Sequence, residues 1–278
     1  MHARLMSDSV EQPQDEPPVP EAWETTRGDG PLVAVALHAG HALRPEVAAL
    51  VAASEADRLR EEDPATASFG SAVPTRIAVH RSRFEVDLNR PRERAVYGDP
   101  SDTWGIEVWR ELPLPADVVE RSLALYDGFY NSMEALLDDV ASRHGGFIVL
   151  DLHSYNHRRA GADALPDDPT ENPAINIGTG SLDRPRWAPV VDTFARTLGD
   201  ALGSTADIRE NVKFRGGHLS RWVHERFANG CCLAVEFKKT YMDEWSGVVD
   251  AAAVSRIGEA VASTLPHLER TLGDVIEC

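Results

Sequence analysis

At 278 residues, 42% hydrophobic and 26% charged, the chain can bury one large core, and we read it as a single domain behind a short tail. The net charge of −17, from 45 acidic residues against 28 lysines and arginines, excludes nonspecific binding to nucleic acid or to an anionic membrane, since both need a basic footprint. No apolar run approaches the roughly 20 residues of a membrane span, and the N-terminus lacks the apolar core of a signal peptide, so a soluble, cytoplasmic protein is expected.

Residues 1–30 are rich in Pro, Glu, Asp, Gln and Ser without apolar periodicity, the composition of a disordered tail. The domain proper, 31–278, begins with LVAVALHAGH, a buried strand that ends at His38 and a glycine. Glu46 to Arg60 reads as a short helix, and EEDPATASFG as a loop with Glu61, Glu62 and Asp63 in succession. Arg76–His80 and Phe84–Leu88 read as short strands, and Arg92–Pro113 as a Trp-rich loop over a pocket. Apolar residues three and four apart from Val119 to Val140 predict a long helix over Pro115–Arg143, stopped at Gly145. It feeds the strand that begins at Phe147. Ala174–Ile177 is a short apolar stretch, and Arg186–Leu202 and Leu219–Phe227 are helical. Cys232–Phe237 is a buried strand, and Val248–Leu272 a helix strained at Pro266. Strands alternating with helices imply an α/β fold with a mixed, largely parallel sheet and helices on both faces. Three cysteines, two adjacent in an apolar run, make neither a disulfide framework nor a spaced zinc motif.

The chain is organised around FIVLDLHSYNHR, where an apolar strand ends in side chains that handle protons and metals. Strand alternation puts Asp151 and His153 on one face, so that one can ligate while the other orients it. An isolated D-x-H is more often a core histidine, but His153 has a partner in His38 and an acidic loop lies between them in sequence. Arg83, Asn89 and Arg90 cluster in SRFEVDLNRP, where guanidinium forks and an amide suit a carboxylate or a polarised carbonyl; a surface ion-pair strand is the plainer reading. Glu236 ends an apolar run, where a carboxylate needs a partner or a task, and Lys238 or Arg221 are its structural alternatives. Ser154 adjoins His153 without a G-x-S-x-G elbow, which disfavours a serine hydrolase.

With these pieces in hand, the chain resembles the N-formylglutamate amidohydrolases, which share a wider group with aspartoacylases and zinc carboxypeptidases. The matching segments run from Val33 to Glu244 in the family's order: LHAGH, EEDPAT, SRFEVDLNRP, LDLHSY, NPAINIGTG, NVKFRGGHLSR and VEFKKTYMDE. The resemblance implies a zinc-carboxypeptidase-like fold and a Zn²⁺ ion held by His38, His153 and an acidic third ligand. Asp63 aligns best for that place, with Glu62 the alternative and His41 a third. It also implies Glu236 as general base, Arg83 at the oxyanion, and Asn89 and Arg90 as clamps on the amino acid's carboxylate. Lys213 or Arg215, beside Gly216 and Gly217, would meet a side-chain carboxylate, and Tyr241 is a further substrate contact. The expected substrate is a small carboxylate-bearing molecule, N-formylglutamate or another N-acyl amino acid. The alternatives are an aspartoacylase- or carboxypeptidase-like hydrolase of another small substrate and a non-catalytic metal-binding sensor. The sequence is silent on oligomeric state.

Overall fold

The computed structural model describes residues 21–203 and 206–277. In chain order the elements are β1 (Trp23–Thr26), β2 (Leu32–Ala36), α1 (Pro45–Ala48), α2 (Glu55–Glu61), α3 (Thr66–Phe69), β3 (Thr75–Val79), α4 (Ala116–His144), β4 (Phe147–Tyr155), β5 (Ile175–Gly178), α5 (Arg184–Leu202), β6 (Ile208–Glu210), α6 (His218–Arg226), β7 (Gly230–Lys238) and α7 (Ala251–Ile276). The strands form one sheet in the order β1-β3-β2-β4-β7-β5-β6. Its centre, β3-β2-β4-β7, is parallel, and so is β5 with β6, whereas β1 on β3 and β5 on β7 run antiparallel.

The two faces follow from the period-2 pattern of the central strands. Along β4, Phe147 and Val149 join Val33, Val35 and Cys232 under α4 and α6, while Ile148, Leu150 and Leu152 join Leu233, Val235 and Phe237 under α5 and α7. Each such side chain contributes roughly 1.5–3 kcal/mol when buried, so a one-residue slip that exchanged the two sets would be heavily disfavoured. That fixed register carries Asp151, His153 and Glu236 onto the α4–α6 side of the sheet, because they keep the parity of Val149 and Cys232. Helix α4 ends where Gly145 takes a left-handed φ of 78° and donates its N–H to the Ala141 carbonyl at 2.8 Å.

Four readings of the sequence change. Trp23–Thr26, inside the stretch read as a tail, adds a strand beside β3, and the Trp23 ring meets Phe129 edge-on at 5.5 Å; residues 1–20 lie outside the described residues. Phe84–Leu88 is a turn, not a strand: the Ser82 carbonyl accepts from Glu85 N at 3.0 Å, and Arg83 Nη2 reaches Asp87 Oδ2 at 2.9 Å. An extended strand would hold residues four apart about 13 Å from each other. The helix read over Glu46–Arg60 is two, α1 and α2, because Ser54 stops the chain and caps α2 by accepting from Asp57 N at 3.0 Å. Last, α7 begins later than read, after Asp250, whose carboxylate accepts from Ala252 N and Ala253 N, and it continues through Pro266.

Candidate metal centre

The carboxyl ends of β2, β4 and β7 open into one pocket of about 400 Å³, the place where open α/β sheets receive ligands. His38 follows β2, His153 lies on β4, and Asp63 reaches them from the loop after α2; all three are buried. The Asp63 backbone donates to the His38 carbonyl at 2.8 Å, and its Oδ1 accepts from Ser154 Oγ at 3.1 Å. Its Oδ2 then lies 3.1 Å from His153 Nδ1 and 3.4 Å from His38 Nδ1. One ligand atom from each of the three residues falls within 4.8 Å of the others, so His38, Asp63 and His153 form a group that can hold a metal ion. Glu62 turns away: its carboxylate pairs with His41 Nδ1 and accepts from Ser82 Oγ, which removes both alternatives to Asp63 from the cluster.

The far nitrogen of each histidine meets another carboxylate. His38 Nε2 lies 2.8 Å from Asp87 Oδ1, and His153 Nε2 lies 2.8 Å from Asp151 Oδ1. Metal-ligating histidines are commonly oriented in this way, with the second carboxylate fixing the ring and raising its basicity. Asp87 in turn accepts from Tyr97 Oη at 2.5 Å, Arg83 Nη2 at 2.9 Å and its own loop's Asn89 N at 2.9 Å. Burial alone would raise the Asp87 pKa, but Arg83 and His38 hold it well below the carboxylate range. Burial likewise opposes ionisation of Asp63, yet hydrogen bonds from His153 and His38 keep its pKa low. Burial depresses the His153 imidazole, and Asp151 outweighs it to lift the pKa well above the ordinary histidine value. Asp63, Asp87 and Asp151 thus crowd two imidazoles in a buried space with Arg83 as the near cation, a charge balance that a bound divalent ion completes. The donor set fits such an ion.

Glu236 stands opposite His153 in the parallel pairing of β7 with β4 and lines the same pocket. No hydrogen bond or ion pair holds its carboxylate among the described residues, which sets aside the suggested structural partners Lys238 and Arg221. Burial pushes its pKa up to about 8, with Asp63 and Asp151 adding to that and His153 opposing it.

The other predicted contacts divide. Arg83, Asn89, Arg90, Lys213 and Arg215 all line the pocket. The three guanidinium nitrogens of Arg83 already reach Tyr97 Oη, the Glu61 carbonyl and Asp87, leaving one N–H on each Nη. Asn89 Oδ1 accepts from Leu219 N at 3.0 Å, which ties the loop to the start of α6, and Asn89 Nδ2 lies 3.2 Å from His153 Nε2. Gly217 is a close approach in the same place, since a Cβ there would lie 2.2 Å from the Asn89 amide. Arg90 donates to the Asp102 carbonyl, and Lys213 to Asn172 Oδ1. Arg215 is exposed and makes no side-chain hydrogen bond or ion pair among the described residues. Tyr241, by contrast, is not a pocket residue. It is fully buried against Phe69 and donates its O–H to the Pro64 carbonyl at 2.8 Å.

Several residues of the site escaped the sequence reading. Asp87 lay inside the quoted SRFEVDLNRP motif, and its position two before Asn89 was the available signal. Asn176, fully buried on β5, accepts from Lys213 N and donates to the Phe214 carbonyl, so it pins the loop that carries Arg215. Trp104 lines the rim between the guanidinium groups of Arg83 and Arg159, at 5.0 Å and 5.4 Å from its ring centre, and Arg159 is itself forked onto Glu61. These pairings join residues far apart in the chain and leave no local pattern.

A search of curated proteins finds no match to the sequence. Among solved structures, the fold matches the crystal structure of N-formylglutamate amidohydrolase from Ralstonia eutropha JMP134 with a TM-score of 0.72 at 16% identity, over 90% of this chain and 97% of that one. It matches a gene product of Agrobacterium tumefaciens with a TM-score of 0.64 at 17% identity, over 90% and 97%. At such identities the likeness is one of fold. The N-formylglutamate amidohydrolase family model matches residues 30–242, which contain the whole site built above. The chain therefore belongs to the N-formylglutamate amidohydrolase family, and its family and fold are those of an amidohydrolase.

Proposed function

We propose that this protein hydrolyses the amide bond of an N-formyl or N-acyl amino acid, with Zn²⁺ held by His38, Asp63 and His153 and with Glu236 as the general base. The observation that carries the reading is Glu236: a partly buried carboxylate with no hydrogen bond or ion pair among the described residues, in register with a histidine of the metal group and facing the same pocket. Two histidines and one carboxylate leave a coordination position open on zinc, and the ion when bound acidifies water and polarises a carbonyl.

The chain's own residues do the rest. Glu236 takes the proton of the attacking water as its oxygen bonds to the acyl carbon, then passes that proton to the nitrogen as the C–N bond breaks. The products are a carboxylic acid, formate for a formyl substrate, and a free amino acid. Asp87 and Asp151 hold the histidine rings in place during this exchange. The N–H groups that Arg83 has left are directed at the developing oxyanion, and Arg90 with Asn89 meets the α-carboxylate. Arg215, without an ion pair of its own, receives a side-chain carboxylate and so favours N-acylated acidic amino acids.

The test is a panel of N-formyl and N-acetyl amino acids, acidic, neutral and basic, given to zinc-loaded protein. Acidic substrates should lead, and Arg215→Ala should raise their KM by roughly 10-fold or more with little change for neutral ones, the loss of one charge-assisted contact. Hydrolysis of none of the panel by zinc-loaded protein would remove the reading.

A further inference from the structure

One residue outside the metal group is tied to the chain around Asp63. Lys239 directly follows β7 and is 1% exposed. Its backbone N–H donates to the Tyr155 carbonyl at 3.0 Å, fastening it to the end of β4 two residues past His153. Its ammonium donates to the Arg60 carbonyl, in the last turn of α2, at 2.5 Å and to the Glu62 carbonyl, on the loop that presents Asp63, at 2.6 Å. Two residues further on, the Tyr241 hydroxyl takes the Pro64 carbonyl at 2.8 Å. Three carbonyls around Asp63, those of residues 60, 62 and 64, are thus held by one short segment of chain.

No carboxylate lies within ion-pair distance of the Lys239 ammonium among the described residues, so a buried charge is spent on neutral carbonyls. Such an arrangement costs desolvation free energy, and a loop that needed only to be closed would be closed as well by neutral donors. What the ammonium adds is a stiff, charge-assisted hold on the chain just before a ligand whose own carboxylate must stay aimed between two imidazoles, and the Tyr241 hydroxyl holds the residue just after it. Glu236, the proposed base, stands on β7 three residues before Lys239, so one segment carries the base and the residue that holds the third ligand.

We infer that Lys239, seconded by Tyr241, is a positioning residue for the metal centre: it lines the same pocket but acts by holding the end of α2 and the loop through Pro64 so that Asp63 meets His38 and His153. The inference rests on the metal site proposed above.

The test is zinc affinity, measured by competition with a chromophoric chelator on the full chain, alongside KM and kcat at saturating zinc. Lys239→Met should weaken zinc binding by about 10- to 100-fold, the usual effect of losing an outer partner of a ligand, while KM at saturating zinc stays within about 3-fold. Tyr241→Phe, which keeps the ring against Phe69 and removes only the hydroxyl, should act in the same direction by a few-fold, and it carries the test if the Lys239 variant does not fold. Leu198→Ala, in the core under α5, is the control for general loss of stability and should leave zinc affinity unchanged. Unaltered zinc affinity in folded Lys239→Met, a raised KM at saturating zinc, or an equal loss in Leu198→Ala would overturn the inference while the metal site stood. Wild-type protein that takes up no zinc would overturn both.

Discussion

His153 and His224 flank the same strand, β7, and their surroundings drive them in opposite directions. His153 has Asp63 3.1 Å from one ring nitrogen and Asp151 2.8 Å from the other, and its pKa is lifted well above the ordinary value against the effect of burial. His224, on α6, accepts the Cys232 backbone N–H at 3.0 Å on Nε2, so its proton sits on Nδ1 and is donated to Ser181 Oγ at 2.9 Å. With neutral partners only, burial lowers its pKa to about 4. Burial is common to both. What separates the histidine proposed as a ligand from the structural one is the charge of the groups that meet its two nitrogens.

Exchanging either ring for a methyl should expose that difference most sharply. His153→Ala should lose metal and bring hydrolysis down to background, whereas His224→Ala should keep metal and turnover and lose stability by about 1–3 kcal/mol, since it leaves the Cys232 N–H unpaired. Elemental analysis, an activity assay and thermal melts on the two proteins read this directly. Metal retained at full occupancy in His153→Ala would dissolve the contrast.

A finer version compares two adjacent acids. Asp63→Ala should lower metal affinity by well over the roughly 10- to 100-fold typical of an outer-shell loss, and Glu62→Ala by less than that. Glu62→Ala should instead cost stability, because Ser82 and His41 lose their buried partner. Metal titrations and denaturant melts distinguish the two.

The smallest effect is the pH response of His224. A depressed pKa means that below the ordinary value of 6.5 the unfolded chain binds a proton that the folded chain refuses, until about pH 4. Stability should therefore fall as pH drops through that window, by up to about 3 kcal/mol, and the share due to His224 should vanish in His224→Gln. Equal acid profiles for wild type and the Gln variant would place the sensitivity elsewhere.

The parts of this molecule that were legible in advance are those written in local pattern. Strands β2, β4 and β7 are unbroken apolar runs that end at His38, Asp151 and Glu236, and α4 shows its buried face at every third or fourth residue. The illegible parts depend on partners far away in sequence. Phe84–Leu88 carries alternating apolar residues that suit a strand, and only the closing of Arg83 onto Asp87 and of Arg44 onto Glu85 winds it into a turn. Residues 23–26 are too few and too polar to announce β1, which exists because β3 offers an open edge and Phe129 receives Trp23. Tyr241 follows Glu236 by five residues, and the turn after β7 sends it into the core. Asp63 and Glu62 are chemically near-equivalent neighbours, told apart by the Lys239 and His38 backbone contacts that aim one of them inward.

The mechanism proposed above turns on Glu236 acting on water without being a ligand. The decisive measurement is turnover and zinc content of Glu236→Gln on the same preparation. Zinc should remain at wild-type occupancy while turnover falls by ~10²- to 10⁴-fold, the usual worth of a positioned proton transfer. Normal turnover in the Gln variant, or zinc lost together with activity, would contradict the role given to Glu236.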